Sequence, residues 1–132
     1  MNATCKIPIS VGELIDRITI LKIKSERISD ENKLTMVEKE LKLLLEILTN
    51  LDFEKQITSQ MIELKEVNET LWEVEDKIRE KEKDGEFDEE FISLARRVYK
   101  TNDRRNIVKN SINAILNSEF FEIKSYTNTP IL

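Results

Sequence analysis

The sequence has no histidine and a single cysteine, Cys5. Without histidine it lacks the commonest general base at neutral pH and the commonest zinc ligand. With one cysteine it can form no internal disulfide. Glycine and proline occur twice each, so there is no glycine-rich phosphate loop and little to interrupt a helix. The apolar run Leu43-Leu44-Leu45 is cut by Glu46, and nothing along the chain is long enough to span a bilayer. The N-terminus, MNATCKIPIS, has no apolar segment of signal-peptide length, which leads us to expect a cytoplasmic protein. No metal motif and no cofactor motif is present, and neither a metal nor a cofactor is expected.

What remains is dense in charge and regularly spaced aliphatic residues. Hydrophobic residues make up 39% and charged residues 36% of the 132, a balance that suits one helix-dominated domain covering the whole chain. The net charge of −5 argues against nucleic acid as the main partner.

Local signals divide the chain into four helices. Pro8 keeps Ile7 extended. Ser10-Val11-Gly12-Glu13 then fits a capping box, with Ile9 and Leu14 at the staple positions. The first helix should run to about Ile28, with Leu14, Ile18, Leu21 and Ile28 on one face and Ile20 and Ile23 on nearly the opposite one. Ser29-Asp30-Glu31 opens a second helix, whose Leu34, Val37, Leu41, Leu44 and Leu48 form a heptad-like stripe typical of coiled coils. Asn50 reads as its stop and Asp52 as the next cap, although the second and third helices could also be continuous. A third helix is expected from about Phe53 to Lys83, ended by Asp84-Gly85. Asp88 caps a fourth, with Phe87 and Ile92 as its staple, and Asn117-Ser118 closes it. Phe121, Ile123 and Tyr126 near alternating spacing allow the tail to pair with Ile7–Ile9 as a short two-stranded patch. The fold class is therefore all-α: an antiparallel helical bundle built on a long helical hairpin, with short extended segments at both ends.

The fourth helix carries an interruption. Its stripe reads Phe91, Leu94, Val98, Thr101, Arg105, Val108, Ile112 and Ile115, so two consecutive stripe positions are polar. Folding the chain about Gly85-Glu86 brings together residues whose numbers sum to roughly 171. Asn68, the polar residue in the third helix's stripe, then falls opposite Thr101, Asn102 and Arg105, with Glu66 and Glu69 at the same level. A buried guanidinium needs a partner. On this register Glu66 or Glu69 supplies it, Asn68 adds acceptors, and Arg104 stays free. The alternative is a cationic pocket for a small anion, lined by Arg105, Arg104, Asn102 and Tyr99, with Trp72 level with Tyr99 one turn away. Glu63, Glu66, Glu73 and Asp76 give paired acids, but on one helix they cannot converge on a metal.

The stretches 9–28 and 71–113 and the ending Lys124-Ser125-Tyr126 resemble a family of small bacterial all-helical proteins of unknown function. The phrases that carry the likeness are S-x-G-E-L-I-D, K-S-E-R-I, L-W-x-x-E-D and Y-x-T-N-D-x-R. Val11 stands where the family pattern has proline. The resemblance draws Asp16, Arg27, Trp72 and Asp103 into the candidate ligand site beside Arg105, and it names no catalytic residue. The function expected is a non-enzymatic helical interaction or accessory module. The alternative is a small enzyme or binding protein for an anionic metabolite of phosphate or nucleotide-sugar type. Long, partly covered stripes and the second face at Ile20 and Ile23 lead us to expect a homodimer, with a further protein partner or a small anion as other possible ligands.

Overall fold

A computed structural model of the chain describes residues 3–125. The described residues form four α-helices, α1 (Val11–Arg27), α2 (Glu31–Leu51), α3 (Thr58–Lys83) and α4 (Glu89–Ile115), with a short 3₁₀ turn at Glu54–Gln56. Helix α1 is the hub. It packs on α2, on α3 and on α4, while α3 and α4 pack along each other as the long hairpin. The core is aliphatic: Leu14, Ile15 and Ile18 from α1, Leu48 from α2, Ile57 and Leu64 around α3, and Val108 and Ile112 from α4. Its burial, at about 25 cal/mol per Å², is the main drive for the assembly. No helix among the described residues is long and apolar enough to cross a membrane.

The helix ends follow local chemistry. Ser10 caps α1 by accepting from the Glu13 amide at 3.1 Å. The Glu13 carboxylate does not complete the box and reaches Lys109 at 2.7 Å instead. Asp30 caps α2 through the Lys33 amide, and Asp88 caps α4 through the Phe91 amide. Phe87 meets Phe91 edge-to-face at 5.2 Å, where the sequence pointed to Ile92. Gly85 takes a φ of +67°, the left-handed conformation expected after α3. The hairpin register falls within about one helical turn of the expected one: Lys81 reaches Glu90 near the turn, and Arg104 pairs with Glu63 further along.

Helices α2 and α3 are separate. Asp52 is the left-handed C-terminal cap of α2, with φ 58°, rather than the N-cap of the next helix. Its amide is held by the Leu48 and Thr49 carbonyls, so Asn50 is still helical. No strand occurs among the described residues, and Ile7 and Ile123 are both exposed, so the two ends do not pair there. Tyr126 lies outside the described residues.

Candidate functional site

In the polar interruption of α4, the half-buried Arg105 pairs with a buried acid of α1, not with the acids of α3. Asp16, on the second turn of α1, is 1% exposed. Arg105 donates to it twice, from Nε to Oδ1 at 2.9 Å and from Nη2 to Oδ2 at 2.7 Å. This is the planar, two-pronged pairing in which an arginine is held most firmly. A third donor, Nη1, reaches Asn102 Oδ1 at 3.2 Å. Asn68 does not accept from the guanidinium. Its amide nitrogen donates to Asp16 Oδ1 at 2.9 Å and to Thr19 Oγ1 at 2.8 Å. Burial pulls the Arg105 pKa down, but the hydrogen bonds and charge of Asp16, with Glu13 and Glu122 behind them, outweigh it, and the net displacement is upward. The arginine therefore stays charged at every ordinary pH.

The expected partners of Arg105 are engaged elsewhere. Glu69 and Glu73 both face Arg27, at 3.7 and 3.3 Å. Glu66 lines a groove with Thr19 and Lys65. Arg104, expected to be free, pairs with Glu63. Tyr99 is 42% exposed, and Asp103 takes no part in the Asp16 network. Of the sequence-derived site, then, Asp16, Arg105 and Asn102 come together, while Arg104, Arg27, Tyr99 and Asp103 do not join them.

Lys109 completes the network and was not singled out from the sequence. Its side chain is 4% exposed, and its ammonium lies 2.7 Å from Glu13 and 3.9 Å from both Asp16 and Glu122. The signal that could have found it is its place one turn beyond Arg105. Asn110 then ties the tail down, exchanging two 2.8 Å hydrogen bonds with the backbone of Glu122. Lys124 holds the Glu122 carboxyl below its ordinary range, with Lys109 and Arg105 adding to the effect. Gly12 explains the glycine of the first phrase. Its amide donates to Asn113 at 2.8 Å, and a Cβ there would stand 2.5 Å from the Lys109 carbonyl oxygen.

Among the described residues, two grooves flank this layer, and Arg105 lines both. One, of about 310 Å³, lies between α1, α3 and α4 and is lined by Ile20, Ile23, Asn68, Leu71, Trp72, Glu75, Asp76, Arg79 and Arg105. The whole L-W-x-x-E-D phrase thus faces one cleft, whose walls are aliphatic and aromatic with acids and Arg79 among them. The other, of about 280 Å³, is lined by Glu13, Asp16, Arg17, Ile20, Leu21, Lys24, Glu40 and Arg105. Gly12, Glu13 and Asp16 of the first phrase, Asn102 and Arg105 of the last, and the L-W-x-x-E-D phrase therefore lie in this layer or its adjoining cleft. The chain belongs to a family of unknown function, DUF6165. The family model matches residues 5–132. No curated protein and no solved structure matches it. Membership in DUF6165 brings no activity and no ligand with it, so the reading of the site rests on its own chemistry.

Proposed function

We propose that this chain is a non-enzymatic helical interaction module that associates through apolar helix faces, in the first place with itself. The observation that carries this reading is the state of α2. A helix of 21 residues gives the core one fully buried side chain, Leu48, and leaves Met36, Leu43, Ile47 and Leu51 exposed. Exposed aliphatic side chains that recur along one helix face, rather than scattered singly, suit a contact surface. The charges of the family phrases support the same reading. Asp16 neutralises Arg105 and Glu13 neutralises Lys109, so the layer fixes how α1 meets α4 and offers little net charge to a ligand. Sedimentation equilibrium at micromolar concentrations should give twice the chain mass of 15.5 kDa. A monomer throughout would contradict the reading.

A second reading, an anion held near Arg105, has one observation in its favour. Arg105 uses three of its five N–H donors on Asp16 and Asn102 and lines both grooves. Trp72, the sole tryptophan, lines the same cleft and reports on it. Titration with inorganic phosphate, nucleotides and nucleotide sugars should leave its fluorescence unchanged if association is the role. A saturable change that Arg105→Lys removes would favour the anion.

A further inference from the structure

The open face of α2 has a periodicity of its own, distinct from the Leu34, Val37, Leu41, Leu44 and Leu48 stripe that turns toward α1. Met36 is 73% exposed, Leu43 55% and Ile47 43%. With the exposed Glu40 they fall at 36, 40, 43 and 47, the alternating four-and-three spacing of a coiled-coil seam. We propose that a second copy of the chain docks on this seam, α2 against α2, antiparallel about a two-fold axis. The proposal rests on the interaction reading above and adds the partner and the register.

Three features choose that arrangement. First, the register in which paired numbers sum to 83 centres on the middle of α2, so the whole helix overlaps its copy. Met36 then faces Ile47 of the second copy, and Glu40 faces Leu43. Second, the border residues on the solvent side are Lys39 and Glu46, both exposed. They meet across the pair, and symmetry makes the contact twice. A slip of one heptad in one direction sets Glu46 against Glu46, and in the other sets Lys39 against Lys39. Like charges at those positions reject both slips, which is how flanking charges specify register. Third, a parallel pair would set Glu40 against its own copy inside the seam and lose the Lys39–Glu46 contacts. In the antiparallel pair Glu40 lies over an aliphatic side chain, with Arg17 and Lys24 of its own α1 lining the same groove to balance its charge.

The test is a charge-swap cycle read by sedimentation velocity. Lys39→Glu and Glu46→Lys each place like charges across the pair twice, and each should weaken self-association by roughly tenfold. The double variant restores opposite charges and should return within about threefold of the parent. Both substitutions sit on a solvent-facing flank, and circular dichroism will confirm that the helices persist. Leu43→Asp should abolish association outright. If the parent associates but the single swaps have no effect, or the double variant stays as weak as the singles, this pairing is overturned and the interaction reading stands on another surface. If the parent is monomeric at every concentration, both are overturned.

Discussion

Arg105 shows how one residue can be recognised in a sequence and its partner missed. Two polar positions in an apolar stripe marked a layer, and folding α3 against α4 put Asn68 at its level. Both are correct. The partner was misassigned because that folding rule relates α3 to α4 only and says nothing of where α1 lies. Asp16 entered only as a candidate ligand residue, yet it is the buried acid. Lys109 was missed as well, since it belongs to neither the apolar stripe nor any of the phrases. Removing Arg105 alone, as Arg105→Leu, strands the Asp16 carboxylate and should cost about 3 kcal/mol in urea unfolding. The double change with Asp16→Leu should recover much of that loss, since the two charges leave together. A double variant no more stable than the single would count against the pairing. Gly12 gives a second test. Alanine is the better helix former by about 1 kcal/mol. Its Cβ, however, would press on a backbone carbonyl that cannot swing aside, and overpacking costs about 1–3 kcal/mol. The clash should win, so Gly12→Ala is expected to lower the unfolding midpoint, whereas alanine at an open helix site would raise it.

The helices were legible because their ends carry caps that act within a few residues: Ser10, Asp30, Asp88 and Gly85 all do what their chemistry requires. The α2–α3 junction was not, because Asp can serve as an N-cap or, in the left-handed conformation, as a C-cap, and only the packing of Leu48 and Ile57 into one core decides between them. At Gly85 the space around a Cβ is empty, so Gly85→Ala should cost only the left-handed strain, about 1 kcal/mol, with no change in the helix content. The element ends also set the pH response. Lys81 and the Phe91 amide hold the Asp88 carboxyl below its ordinary value, and Lys124 does the same for Glu122. Groups lowered in this way contribute stability that is complete above the ordinary carboxylate range and is lost as pH falls through the folded values. Lys81, with Asp88, Glu86 and Glu90 around it, is raised, so its contribution is complete below its ordinary value of 10.5 and persists until strongly alkaline pH. Thermal melts should therefore be flat from pH 6 to 9 and fall below about pH 4. Asp88→Asn, which keeps a capping oxygen but removes the charge, should flatten part of the acid limb.

The molecule as a whole joins a closed half to an open one. Around α1, the α3–α4 hairpin closes over a charged layer whose members neutralise one another, while α2 rests on α1 with most of its surface in solvent. In the first half, Gly12, Asp16 and Arg105 of the phrases, with Asn68 beside them, fix the seat of α1. The second half is where a partner would be felt. The sequence announced the inner stripe of α2, which any amphipathic helix shows, but the exposure of Met36, Leu43 and Ile47 is visible only once the packing side is known. Hydrogen exchange at two protein concentrations tests this division most directly. Raising the concentration should slow exchange across residues 36–47 of α2 and leave the amides of α4 around Arg105 unchanged. Concentration-dependent protection at the Trp72 cleft with none on α2, or no change anywhere, would contradict the account.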